Sequence, residues 1–228
     1  MSFELDNIGT FIIKDHERFE FDKFILGSSS PRRVELVSEF IKDFEIIKPE
    51  IDEKSIIGNS QKNYNDNFIK NSFLITSEVA LQKAIAVYKK KRDGLILSAD
   101  TVVITDNNIL GKPSDLSKAK TTLHSLLGNY HYVCTAVCLL NNPTDYKHFY
   151  VVSGVKFVEE SNFVNDFIDS YVKSLSPIDK AGSYNIKEVD KVLIDSIYGD
   201  YYNIVGLPLV EFLRSIKLWK KMYLWAHV

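Results

Sequence analysis

Sulfur is scarce in this chain. Two cysteines and two methionines occur among 228 residues, and the cysteines, Cys134 and Cys138, share one apolar segment. A disulfide framework or a zinc site needs more sulfur, or histidine at ligand spacing. The five histidines (His16, His124, His131, His148, His227) are scattered and form no His-x3-His pair. Both cysteines are therefore expected to be ordinary buried thiols of an intracellular protein. An excess of charge of one sign is also missing. Twenty-eight basic and 30 acidic residues give a net charge of −2, so no global basic field exists to hold a nucleic-acid polymer. A local basic pocket for a smaller anion is not excluded. No apolar run reaches the ~18–20 residues of a membrane-spanning helix. The first six residues are acidic and lack an apolar stretch, so no signal peptide is expected. The expected location is the cytoplasm.

What is present suffices for a core: apolar residues make up 45 % and aromatics 12 %, enough at this length for one well-buried domain. Residues 1–21 mix charge and apolar side chains without a period and read as an N-terminal appendage to a single domain over 22–228. Phe24-Ile25-Leu26 is a short buried-strand run ending at Gly27-Ser28-Ser29-Ser30-Pro31. Ser30 is a good N-cap and Pro31 a good first helical residue, and Val34, Leu36, Val37, Phe40 and Ile41 continue an apolar helical face. A second strand is expected at 44–47. An Asn-rich surface loop is expected at about 56–71, then a long amphipathic helix over 74–91. Leu95-Ile96-Leu97 and Val102-Val103-Ile104 flank Ser98-Ala99-Asp100-Thr101 and predict a strand with a polar interruption. A helix over 116–127 stopped by Gly128, an antiparallel strand pair over 132–140 and 149–158, and a helix over 163–171 follow. A polar loop to about 188, a strand at 192–194 and a helix after Pro208 complete the chain. Intermixed strands and helices predict an α/β fold, a mixed sheet with flanking helices.

Chemistry first suggests itself at Ser28-Ser29-Ser30-Pro31-Arg32-Arg33, where a strand hands over to a helix N-terminus. Free N–H groups and the positive end of the helix dipole favour anions there, and arginine adds fork-shaped donors for phosphate. The Gly-x4-Gly-Lys-Ser/Thr spacing of a P-loop is absent. Taken alone, the segment is better read as a capped helix with two exposed arginines. Asp100 interrupts an apolar run, where a carboxylate needs a partner, a metal or a function; a strand-end Asp capping a local turn is the alternative. Glu53, in the polar turn Asp52-Glu53, reads locally as surface acid, and Lys83 and Lys112 as solvated lysines.

Taken together, the segments resemble the Maf family of nucleotide pyrophosphatases. The resemblance rests on Ser28-x-Ser30-Pro31-Arg32-Arg33-x-Glu35-Leu36, Ile51-Asp52-Glu53, Ala80-x-x-Lys83-Ala84 and Ala99-Asp100-Thr101-Val102-Val103. It continues through Leu110-Gly111-Lys112-Pro113, Leu127-Gly128-x-x-His131-x-Val133-x-Thr135-x-Val137, Asp179-Lys180-Ala181-Gly182-x-Tyr184 and Val205-Gly206-Leu207-Pro208. These occur in family order over about residues 22–216.

The resemblance implies two lobes around a central cleft, related to the inosine triphosphate pyrophosphatases. It implies metal-dependent cleavage of a nucleoside triphosphate between its α and β phosphates, in house-cleaning of nucleotide pools. Asp100 would be the general base, and Glu53 with Asp100 would bind Mg²⁺ or Mn²⁺. Ser28, Arg32, Lys83 and Lys112 would hold the triphosphate. Arg33, Thr101 and the segment with Lys180 resemble the dTTP/UTP branch, whereas the 7-methyl-GTP branch has another residue after the first arginine and Gln after the Asp. One departure is Tyr184-Asn185-Ile186-Lys187-Glu188, which puts Lys187 where that branch has a glutamine near the base. An ammonium can donate to a pyrimidine carbonyl but cannot accept from a ring N–H. The readings carried forward are a dTTP, UTP or modified-pyrimidine triphosphatase releasing pyrophosphate, a 7-methyl-GTP or purine enzyme, and a non-catalytic nucleotide-binding regulator of cell division. A homodimer is an expectation from family analogy alone.

Overall fold

Residues 4–61 and 67–217 are described by the computed structural model of the chain. The elements are β1 (Gly9–Lys14), β2 (Phe24–Leu26), α1 (Pro31–Phe40), β3 (Glu45–Ile46), α2 (Glu53–Gln61), α3 (Phe68–Lys90), β4 (Leu95–Ile104) and β5 (Ile109–Leu110). There follow α4 (Leu116–Leu126), β6 (Tyr130–Asn142), β7 (Asp145–Phe157), α5 (Asn162–Lys173), α6 (Ile186–Leu193), β8 (Ile194–Tyr198), α7 (Tyr201–Val205) and α8 (Leu209–Arg214). All eight strands join one mixed sheet in the order β1-β7-β6-β4-β2-β3, with β5 on β4 and β8 on β7. The pairs β2–β3 and β2–β4 are parallel and joined through helices, as parallel neighbours must be; the rest are antiparallel.

β4 organises the molecule, because a strand's side chains alternate between faces. Leu95, Leu97, Ala99 and Val103 enter the main core with Leu36 and Val37 of α1 and Leu123 of α4. Ile96 packs with Ala84 and Val87 of α3, and Ile104 with Phe73 of the same helix. α3, with α2 packed against it, thus lies on one face of the sheet, while α1 and α4 lie on the opposite one. Asp100, in step with Ile96 and Ile104, belongs to the α3 face; Thr101, in step with Ala99 and Val103, belongs to the α1 face. Among the described residues, no helix is long and apolar enough to cross a membrane. Cys134 and Cys138 are free and buried.

Several boundaries differ from the sequence reading. The Asn-rich stretch is largely helical on both sides: α2 runs to Gln61 and α3 begins at Phe68, while 62–66 lie outside the described residues. Asn67, one of the residues that suggested a loop, is the N-cap of α3 and accepts from the Lys70 N–H at 3.0 Å. The strand expected at 192–194 is instead the last turn of α6 running into β8. Ile186, Val189 and Leu193 are buried at helical spacing, and Asn185 caps that helix. The polar loop before it holds short 3-10 turns at Ser176–Asp179 and Ala181–Ser183. Within 1–21, β1 adds an edge strand to β7, and Phe19 is buried, bridging to Ile216. Ser30 occupies the N-cap of α1 without a side-chain bond, with Pro31 at the first helical position.

Candidate active site

β2 pairs with β4 only as far as Leu26 opposite Leu97. Beyond that point the chain leaves β2 for the Gly27–Pro31 turn, and β4 has no strand on that edge until β5 pairs with it at Val103. A crevice opens there, at the carboxyl end of a parallel strand, where α/β sheets bind ligands. It has a volume of about 690 Å³, within the range of small-molecule sites, and is lined by the Ser28 turn, Arg32, Glu53, Lys83, the stretch 99–103 of β4 and Lys112. Gly27 permits the turn, because a Cβ there would run into Ser98 Oγ.

On the α3 face, the Lys83 ammonium donates to Asp100 Oδ1 at 2.7 Å and lies 2.8 Å from Glu53 Oε1. Three elements meet in this triad: α3 presents the lysine, β4 the aspartate, and the first turn of α2 the glutamate. Asp52 Oδ1 accepts from the Ser55 N–H at 3.2 Å, holding that first turn. Exposure grades outward, with side chains 13 % (Lys83), 19 % (Asp100) and 53 % (Glu53) accessible.

On the opposite face Arg33 is buried. Its Nε donates to Gly206 O at 2.8 Å, Nη1 to Ala99 O at 2.9 Å and to Ser28 Oγ at 3.3 Å, and Nη2 to Thr101 Oγ1 at 2.8 Å. Burial lowers its pKa to about 10, with the Asp100 charge opposing that shift; it remains a cation at neutral pH. Thr135 Oγ1 donates to Asn203 O at 2.9 Å. Its single proton is thereby used, so Thr101 is the donor in the 2.9 Å bond between the two hydroxyls. Arg33 and Thr101 therefore form the floor of the crevice rather than arms reaching into it. Ser28 is buried there too, accepting from the Ser30 N–H at 3.2 Å.

Arg32, Lys112 and Lys48 also line the crevice. Lys48 was invisible to pattern reading, because a lone lysine before Pro49 has no spacing signal. Lys112 follows Gly111, whose carbonyl accepts from the Gly182 N–H at 3.3 Å. Gly182 has φ +67° and sits against Val103, where a Cβ would approach Cγ2 to 2.8 Å; only glycine suits that close crossing. Lys180 does not line the crevice: it donates to Ser176 O and Asp179 Oδ1, both at 2.6 Å. Lys187 is also absent from the lining, 2.9 Å from Glu35 Oε1 on α1. Tyr184 was expected only as part of a motif, yet it is buried in the crevice wall, its hydroxyl 2.8 Å from His131 Nε2. Burial pushes the Tyr184 phenol up and the His131 imidazole down to about 3.

Among the described residues, no group of three or more His, Cys, Asp or Glu side chains could hold a metal. Glu53 and Asp100 do converge on one cation. Such a two-carboxylate set suits a hard divalent ion that takes its other ligands from water and phosphate oxygens.

A family model described as "Maf-like protein" matches residues 23–219. A "dTTP/UTP pyrophosphatase" of Dictyoglomus thermophilum is 36 % identical over 189 residues, covering 83 % of this chain and 92 % of that one. The protein of the same description from Clostridioides difficile is 39 % identical over 186 residues, covering 81 % and 89 %. Its counterpart in Bacillus cytotoxicus is 37 % identical over 195 residues, covering 86 % and 94 %. Among solved structures, the Staphylococcus aureus Ham1 protein aligns with a TM-score of 0.41 and 13 % identity, covering 85 % of this chain and 96 % of that one.

Proposed function

Because the chain belongs to the Maf-like family, we propose that it hydrolyses nucleoside triphosphates, dTTP and UTP first among them, to the monophosphate and pyrophosphate. The observation carrying this reading is the crevice itself, lined both by a carboxylate–lysine triad and by the further cations Arg32, Lys48 and Lys112. Lys83 holds Asp100 through Oδ1, which leaves Oδ2 for the chemistry. That oxygen takes the proton of a water attacking the α-phosphorus, while the bond to the bridging oxygen breaks and pyrophosphate departs. Arg32, Lys48 and Lys112 face the charge that grows on the leaving group, and need no proton adjustment near neutral pH. The N-terminus of α1, with the Ser28 turn, adds partial positive charge at the same place.

Glu53 and Asp100 are the residues that would hold Mg²⁺ or Mn²⁺. When bound, such an ion supplies positive charge to the phosphate oxygens and favours ionisation of water. The pyrimidine preference is supported by the names of the relatives at 36–39 % identity. Pyrophosphate release from a panel of pyrimidine, purine and 7-methyl-guanine triphosphates, with Mg²⁺ and with Mn²⁺, tests the reading. Release ranked toward dTTP and UTP is the expected outcome. A ranking toward purines would change the substrate class, and tight nucleotide binding without product would make the chain a binder.

A further inference from the structure

We infer that Lys83 is a stand-in cation, seated between Glu53 and Asp100 in the free protein and displaced from them when a divalent ion loads. This deepens the metal-assisted reading above and rests on it. One ammonium lies 2.7 Å from Asp100 Oδ1 and 2.8 Å from Glu53 Oε1, so the oxygens that would take the ion are those the lysine already holds. Two cations cannot share that pair of oxygens without strong repulsion. Loading is therefore an exchange rather than an addition.

The lysine is built to leave. α3 is anchored beneath it by buried Ala80, Ala84 and Val87, while the ammonium rides on a four-carbon stem with rotatable donors. Arg33, by contrast, is bound by four hydrogen bonds to carbonyl and hydroxyl oxygens and has no freedom to swing. Once displaced, the Lys83 charge stays in the same crevice as Arg32, Lys48 and Lys112, where a polyphosphate is the available anion. A divalent ion thus binds weakly to the free site, since it must strip Lys83 of both carboxylates. A nucleotide removes part of that cost by offering Lys83 new oxygens, so ion and nucleotide reinforce each other reciprocally. The lysine also offsets one of the two neighbouring carboxylate charges between turnovers.

The test is Mn²⁺ binding without nucleotide, read from the resonance of the free ion, for the wild type, Lys83→Gln and Lys83→Met. Removing the competing ammonium should tighten Mn²⁺ by about tenfold or more, and adding Asp100→Asn to Lys83→Met should abolish the gain. Equal or weaker Mn²⁺ affinity in both folded variants overturns the exchange. Should the variants fail to fold, the wild type decides: saturating Mn²⁺ should speed reductive methylation of Lys83, read by peptide mass spectrometry, and an unchanged rate refutes displacement. Pyrophosphate release by the wild type is measured alongside. Turnover without the Mn²⁺ effects defeats the exchange alone, whereas those effects without turnover defeat the proposed reaction and leave the exchange standing.

Discussion

Two cations stand on opposite faces of β4, one residue apart in what they serve, and their surroundings differ in kind. Lys83 meets Asp100 on the α3 face and is held by two carboxylates at the edge of solvent. Arg33 meets Thr101 on the α1 face, buried among backbone carbonyls and hydroxyls. A cation held by neutral oxygens in a protein interior has its charge fixed in place and acts as part of the scaffold. One held by ionised groups near water can be traded for another cation. Under the proposed reaction the same strand thereby carries a working face and a supporting face, and mutations on the two should fail differently.

The largest effect is expected on the working face. Asp100→Asn keeps the shape but removes the proposed proton acceptor, so turnover should fall by about 10²–10⁴-fold with the melting temperature little changed. Wild-type-like pyrophosphate release from this variant would end the assigned role. Arg33→Met should do the reverse, acting first on stability. It strands the carbonyls of Ala99 and Gly206, each orphaned group costing about 1–3 kcal/mol, and leaves Thr101 only its bond to Thr135. Denaturant unfolding should show a loss of several kcal/mol, and Arg33→Lys should not restore it, because an ammonium cannot span four oxygens in a plane. A stable Arg33→Met that merely loses nucleotide affinity would dissolve the contrast between the faces.

His131 belongs to the supporting face and gives it a pH signature. Its folded pKa, about 3, lies below the ordinary 6.5 because of burial. The sign follows directly: above 6.5 neither folded nor unfolded chain protonates it, and below 6.5 the unfolded chain binds a proton that the folded one refuses. Its share of stability is therefore whole above pH 6.5 and is lost as pH falls toward 3, at up to about 1.4 kcal/mol per pH unit. His131→Phe should flatten the acid limb of a stability–pH curve over that window; an unchanged limb would show that other groups set it.

Smaller effects fall on the rim. Lys112→Ala should weaken kcat/KM by about tenfold, the scale of one charge-assisted bond to phosphate, and Lys48→Ala by less. Both losses should shrink as ionic strength rises. Salt-independent losses would mean that these exposed lysines act through structure instead.

Much of this was legible in the sequence, and the gaps have physical causes. Residues 95–104 announce a strand, and Ser30-Pro31 a helix start, because burial and caps are local signals. That Asp100 and Thr101 part to opposite faces follows from the strand period, yet which helix covers which face depends on long-range packing. Arg33 and Arg32 are adjacent and chemically identical, so the sequence groups them as phosphate ligands; only the fold buries one and opens the other. Asn67 and Asn185 read as loop residues because asparagine suits both loops and caps, and both turned out to begin helices.

Lys187 offers the finest test of the comparison, because position in the motif and position in space disagree. By resemblance, the motif puts it where a glutamine is expected near the base, which would make it a specificity residue of the working face. In the fold its side chain is 37 % exposed, its ammonium is 2.9 Å from Glu35 Oε1, and it is absent from the crevice lining. An ion pair this exposed contributes no more than about 1 kcal/mol after solvent screening. Lys187→Gln should therefore leave the order of preference among dTTP, UTP and purine triphosphates unchanged and shift stability only slightly. Glu35→Gln should behave alike, since it breaks the same pair from the other side. A changed base ranking in Lys187→Gln but not in Glu35→Gln would mean that the side chain leaves Glu35 to meet the nucleotide, and would move α6 onto the working face.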